Sequence, residues 1–243
     1  MAEEGDTGVN TLPRVVILGA GGHARVLADA LLDNGRSVLA FVDVAPPAPR
    51  DPIMGIPVYA SDDGLSAFSR DQVELANGIG SLEPFGRRAE IYHEASARGF
   101  RFANVIHASA AVSKYAHIGE GAQVLAGAVV QPGSHLGKNT LVNTRASVDH
   151  DCHVGDSCHI ACGAVLCGQV SLGDGCHVGP GATIIQGIKL ASGTMVAAGA
   201  VVVSDPAAPG LLKGVPARLV DRAVVKPHPA GGPHQRRRRP DRH

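Results

Sequence analysis

The sequence predicts a mixed fold: a small α/β, Rossmann-like domain followed by a parallel β-helix built from six-residue repeats. Two patterns point to it. From Val105 the chain repeats every six residues, and residues 14–45 read as strand, glycine-rich turn, helix, strand. Composition agrees: hydrophobic residues make up 44%, but aromatics are only 3% and Trp is absent. The core must therefore be Val, Ile, Leu and Ala, and the 31 glycines suit a repeat full of tight corners.

The repeat divides into seventeen hexads from Val105 to Pro206, among them SVDHDC, HVGDSC, HIACGA and VLCGQV. The second residue of every hexad, from Ile106 to Val202, is Ile, Val or Leu, and the sixth is mostly Ala, Ser, Thr or Cys. One bulky and one small residue per six describe a short strand and a corner. Such a unit cannot bury its apolar side alone, so turns must stack. Three hexads make one triangular coil of eighteen residues.

This phase explains the stretch SVDHDCHVGDSCHIACGA at 147–164, which resembles a metal site. Cys152, Cys158 and Cys176 fall in the sixth slot, where other hexads carry Ala, so they read as small core residues. His117, His135 and His153 are eighteen apart, as are His159 and His177, so they read as surface ladders on two faces, one rung (about 4.8 Å) apart. His150 belongs to neither ladder. It takes the fourth, corner position, with Pro132 one coil below and Gly168 one coil above. A histidine beside a glycine amide supplies a base and a backbone donor, the minimum for acyl transfer.

In the first domain, Val15–Leu18 leads into Gly19-Ala20-Gly21-Gly22-His23-Ala24, then a helix with Val26, Leu27, Ala30 and Leu31 on one side, then a strand Ser37–Val42 ending at Asp43. The glycines let backbone approach a phosphate, and the helix start attracts its charge. A third strand within Val73–Ile79 and a helix from Pro84 to about Ala97 complete half a Rossmann fold, better suited to a nucleotide sugar than to NAD.

The net charge is zero, which excludes a broad nucleic-acid footprint. No apolar run reaches the ~18 residues of a membrane span. The acidic N-terminus has no apolar segment of a secretory signal, and the five cysteines suit a reducing, cytoplasmic setting. Residues 1–13 and the Arg-rich stretch 221–243 read as disordered.

The motifs GAGGHARVL (19–27), ASVDHDCHVGD (146–156), CHIACGAVLCGQVSLG (158–173) and LLKGVPARLV (211–220) together resemble the sialic-acid O-acetyltransferase type family of hexapeptide-repeat sugar acyltransferases. That family includes N-acetyltransferases of nucleotide-linked 4-amino-4,6-dideoxy sugars. The resemblance implies a left-handed β-helix over 105–220 after a nucleotide-sugar domain over 14–104. It implies acetyl-CoA as co-substrate, no metal, a homotrimer with clefts between subunits, and a cytoplasmic role in surface-polysaccharide synthesis. Residue by residue it implies His150 as base, Asp151 as its carboxylate partner and the Gly168 amide at the thioester carbonyl. His159, Gly168, Ala198, Lys213, Pro216 and Arg218 fall at the coenzyme. Gly21, Gly22, His23 and Asp43 fall at the nucleotide sugar. O-acetylation of a sugar, a γ-carbonic-anhydrase-like zinc site and a non-catalytic scaffold are the competing readings.

Overall fold

The computed structural model describes residues 12–43, 52–60, 64–80 and 86–220. Of the segments read as disordered, 1–13 and 221–243, residues 1–11 and all of 221–243 lie outside the described residues. β1 (Arg14–Leu18), β2 (Val38–Asp43), β3 (Val58–Ala60) and β4 (Val73–Asn77) form a parallel sheet in the order β3-β2-β1-β4. α1 (Gly22–Asp33) joins β1 to β2, and α2 (Arg87–Ala97) follows β4. Both sides of β1 are covered. Val15 and Ile17 pack with α1, whereas Val16 and Leu18 share a cluster with Ile91 and Tyr92 of α2. Burial on two faces explains the unbroken apolar run VVIL.

The buried stripe of α1 is Ala24, Leu27, Ala28, Ala30 and Leu31. Val26, expected on that side, is 43% exposed, because it falls one residue off the helical stripe. β3 was not legible in advance: three residues, VYA, are too few for a period-two signal.

The coil follows the six-residue phase throughout. Seventeen two-residue strands, Val105–Ile106 to Val201–Val202, stack into three parallel faces. Face 1 carries residues 105, 123, 141, 159, 177 and 195. Face 2 carries 111, 129, 147, 165, 183 and 201. Face 3 carries 117, 135, 153, 171 and 189. Every pairing between successive rungs is offset by eighteen residues, as in Leu141 with His159 and Ser147 with Val165. Amides donate up the prism at 2.8–3.1 Å, for example His135 N–H to Cys152 C=O and Gly137 N–H to Val154 C=O.

Second-position side chains from Val124 to Val202 fill the prism, with exposure of 3% or less. Each removes an aliphatic side chain from water, worth roughly 1.5–3 kcal/mol. The sixth-position residues beside them are buried and, Val170 and Ile188 apart, small, as space at the corner favours. In fourteen consecutive hexads, from Gly121 to Gly199, the fifth residue has positive φ. Nine are glycine. The exceptions are Asn139, Arg145, Asp151, Ser157 and Gln169, with φ of 54–62°. A side chain there costs on the order of 1 kcal/mol, and three of these five, Asn139, Asp151 and Ser157, use theirs in hydrogen bonds.

A hairpin of Leu211–Lys213 and Arg218–Val220 caps face 1: Met195 pairs with Leu211, and Lys213 with Arg218. The first domain docks low on the same face. Leu125 and Leu141 of the coil share one core with Ile17, Leu27 and Phe41.

Candidate active site

His150 and Asp151 form the corner between faces 2 and 3. The chain leaves the face-2 strand at Val148, and the αL conformation of Asp151 (φ 57°) turns it toward His153 on face 3. The same turn swings the Asp151 carboxylate back beside the preceding imidazole. His150 Nδ1–H donates to Asp151 Oδ2 at 2.9 Å, while the His150 backbone N–H donates to Asp149 Oδ1 at 2.8 Å. Nδ1 thus carries the proton and Nε2 keeps its lone pair. The hydrogen bond to Asp151, with the charges of Asp149 and Asp151, holds the His150 pKa above the ordinary imidazole value. The ring is 56% exposed and open to a substrate.

Gly168, one rung up, is glycine for a steric reason. A Cβ there would stand 2.5 Å from His150 Nε2, so the imidazole occupies the space of the missing side chain. The Gly168 carbonyl accepts from Gly187 N–H at 3.0 Å, whereas its own N–H finds no acceptor among the described residues. A base and an unused amide therefore lie side by side, the arrangement an acyl carbonyl requires.

The second group of candidate residues lies on face 1. Gly21 and Gly22 open α1 with nothing near their Cβ positions, leaving the helix start accessible. They stand beside the crevice between β1 and β4, where strand order reverses and such sheets bind ligands. Asp43 ends β2, the next strand over. His23 Nε2–H donates to Gln123 Oε1 at 2.8 Å, an assignment set by Gln123 Nε2, which donates to Asn77 C=O at 2.9 Å. Burial first, then the charge of Arg88, lowers the His23 pKa to about 4, so the ring is neutral.

His159 belongs to this region too. Asn143 Oδ1 accepts the Thr144 N–H at 2.8 Å, which leaves Asn143 Nδ2 to donate to His159 Nε2 at 3.1 Å. The His159 proton is therefore on Nδ1, which is buried and without an acceptor among the described residues. Burial lowers its pKa to about 3, with His177, Arg88 and His23 adding to the shift. The expectation of two surface ladders needs correcting here. His117, His135 and His153 are exposed, with rings 5.5 and 5.3 Å apart, but His159 and His177 are half-buried and meet edge to face at 4.9 Å. His159 also feels the charges of Arg88 and His23 from the first domain, and burial lowers the pKa of both rings.

Ala198 lies at the corner after face 1, and Lys213, Pro216 and Arg218 lie exposed in the capping hairpin. The chain thus divides the predicted residues in two. His150, Asp151 and Gly168 stand on one edge of the triangle. His23, His159, Lys213 and Arg218 belong to face 1, the side opposite that edge.

Three of the five cysteines occupy core slots. Cys152, Cys158 and Cys176 donate their thiols to the carbonyls of Cys167, Gly173 and Ala191 at 3.1–3.2 Å, and burial pushes the Cys152 thiol up to about 11. The exposed histidines climb one per rung and do not converge on a point. A shallow groove of about 490 Å³ follows them along face 3 and includes none of the residues at the His150 corner.

Sequence reading missed the supports of this site. Arg88, 4% exposed, donates to the carbonyls of Asn77 at 2.7 Å, Ile79 at 2.9 Å and Asn139 at 3.2 Å, and Asn77 Nδ2 donates to Asn139 Oδ1 at 3.0 Å. Gln123 left one signal, a polar residue in a first slot flanked on its face by Val105 and Leu141. Arg88 left none.

Residues 14–94 match the PglD N-terminal domain family. The GDP-perosamine N-acetyltransferase of Caulobacter crescentus, solved as a histidine-to-alanine variant with CoA and GDP-perosamine, is 36% identical. The alignment covers 86% of this chain and 97% of that one, with a TM-score of 0.78. The acetyltransferase domain of PglB from Neisseria gonorrhoeae is 34% identical over 86% of this chain and 100% of that one, with a TM-score of 0.78, and has also been solved with acetyl coenzyme A. WeeI from Acinetobacter baumannii, 22% identical over 85% of this chain and 99% of that one, shares the fold at a TM-score of 0.75. No curated protein sequence matches. With a left-handed β-helix common to these relatives, and identity above one third across nearly the whole of the Caulobacter enzyme, the chain belongs to the hexapeptide-repeat family of sugar N-acetyltransferases.

Proposed function

We propose that the protein moves the acetyl group of acetyl-CoA onto the amino group of a nucleotide-linked amino sugar of the 4-amino-4,6-dideoxy type, with His150 as general base. The observation that carries this reading is the His150 corner: an imidazole with a free Nε2, held by Asp151 at 2.9 Å, beside the unused amide of Gly168.

The sugar amine, once deprotonated, attacks the thioester carbonyl carbon, and a C–N bond forms as the carbonyl becomes an oxyanion. The Gly168 N–H stabilises that oxyanion. His150 Nε2 takes the proton released by the nitrogen, and Asp151 stabilises the resulting imidazolium. A raised imidazole pKa makes the ring a stronger base. The C–S bond then breaks, and the proton passes from His150 to the departing CoA thiolate. No covalent enzyme intermediate is needed.

The nucleotide half of the acceptor sits at Gly21, Gly22, His23 and Asp43. The His159 Nδ1–H, a buried donor without an acceptor among the described residues, suits a carbonyl of the acyl donor, and Lys213 and Arg218 offer charge to its phosphates. Because face 1 lies opposite the His150 edge, the complete site takes the edge of one protomer and face 1 of another. A homotrimer with parallel prisms supplies that arrangement.

The test is thiol release from acetyl-CoA with a panel of nucleotide-linked amino and hydroxy sugars. Amino sugars should be acetylated. His150→Ala should lower kcat by about 10²–10⁴-fold while calorimetry still detects CoA binding. Turnover with hydroxy sugars alone would overturn the acceptor assignment, and near-normal turnover by His150→Ala would remove that residue from the base role.

A further inference from the structure

The His150–Asp151 pair is nested between two glycines of the same edge, one rung above and one below. Above, the imidazole fills the side-chain space of Gly168. Below, a Cβ on Gly133 would overlap Asp151 Oδ1, so the carboxylate stands where that side chain would be. The two contacts are separable, since each glycine faces a different member of the pair.

We propose that Gly133 is a positioning residue for acetyl transfer: its missing side chain is the space that lets the Asp151 carboxylate reach His150 Nδ1. The inference rests on His150 and Asp151 being the base and its partner. Gly133 also has φ of +76°, which by itself favours glycine. Backbone conformation does not explain the site fully, because five other fifth positions of this coil hold side chains at positive φ. Three of them, Asn139, Asp151 and Ser157, use those side chains in hydrogen bonds. At Gly133 a side chain meets the carboxylate. At Gly175, with φ of +66°, it would meet nothing within 4 Å.

The test compares Gly133→Ala, Gly133→Asn and Gly175→Ala. The two alanine variants carry the same kind of backbone penalty, but only Gly133→Ala intrudes on Asp151. Asparagine tolerates the left-handed conformation and still places a Cβ in the carboxylate's space. Both Gly133 variants should lower kcat roughly 10- to 100-fold, as expected for a misplaced catalytic pair, with KM for acetyl-CoA unchanged. Gly175→Ala should keep wild-type kcat.

The pH profile gives a readout that fold stability does not move. Asp151 and Asp149 are the charged groups acting on the His150 ring, and the Asp151 hydrogen bond is the largest cause of its raised pKa. Displacing that carboxylate should shift the acid limb of kcat to lower pH in both Gly133 variants. In an Asp151→Ala background, Gly133→Ala should change kcat by less than about twofold, since its target is gone. Restoration of kcat by asparagine would make backbone strain the cause and overturn the proposal. So would an unshifted acid limb, or a full additional loss in the Asp151→Ala background. If Asp151→Ala itself turns over normally, the base-and-partner reading fails, and the role of Gly133 fails with it. If Asp151→Ala is impaired and the Gly133 variants are not, only the inference about Gly133 fails.

Discussion

His23 and His159 are neutral for reasons that have a cost. Their folded pKa values, about 4 and about 3, lie below the 6.5 of a free imidazole, so the folded protein binds fewer protons than the unfolded chain in mild acid. Above pH 6.5 both states are neutral and neither histidine alters stability. As pH falls from 6.5 toward 4, each should remove roughly 1.4 kcal/mol per pH unit. Urea unfolding at pH 7.5 and 5.5 should therefore differ by about 2–3 kcal/mol from these two residues. His159→Asn should remove about half of that difference. Legibility at this scale depended on whether a residue's role was written in its phase. His150 stood out because it broke the ladder periods, and Gly168 followed by adding eighteen. Gly133 was reachable by subtracting eighteen from Asp151, but nothing in the chain states that the carboxylate points down the prism. The proton positions on His23 and His159 were not legible, since each is set by an amide whose own orientation depends on a third group.

Among the elements, α2 is held by an unusual contact. Arg88 is buried with carbonyls rather than carboxylates as partners, and burial lowers its pKa to about 9. Those carbonyls belong to the end of β4, the loop after it, and the Asn139 corner, so one side chain ties helix, sheet and prism together. Arg88→Met should cost about 3–5 kcal/mol through unsatisfied carbonyls. It should also weaken nucleotide binding by loosening the β4 end of the crevice. Thermal unfolding and nucleotide titration check both. The β-α-β unit was readable because its apolar runs and glycines follow simple periods. The docking of α2 was not, since a helix carrying Arg87, Arg88, Glu90 and Glu94 reads as a solvated face until the coil is placed beneath it.

At the scale of the whole molecule, the prism was the most legible part, because a period of six repeated seventeen times leaves one phase. The division of the site between an edge and the opposite face was less so, since sequence order places His150 and His159 only nine residues apart. That division makes a quantitative prediction. In the proposed homotrimer, subunits carrying His150→Ala, mixed and reassembled with an equal amount of His23→Ala subunits, should recover about one quarter of wild-type activity at low acceptor concentration, as random pairing around a three-fold ring dictates. Both substitutions placed in the same subunit should recover none, because no site then escapes both lesions.

The eighteen-residue offset has one more consequence. His23 is anchored to Gln123, and His150 lies 27 residues further along the coil, or one and a half turns. At about 4.8 Å per turn that is close to 7 Å of height along the axis. Under the proposed function, the prism acts as a ruler between the nucleotide's foothold and the reacting nitrogen, graduated in whole turns. Deleting or adding a few residues between them would rotate the base off its edge. Inserting a full eighteen would restore the phase and lengthen the reach by one graduation, so the span of the acceptor is recorded in the number of turns.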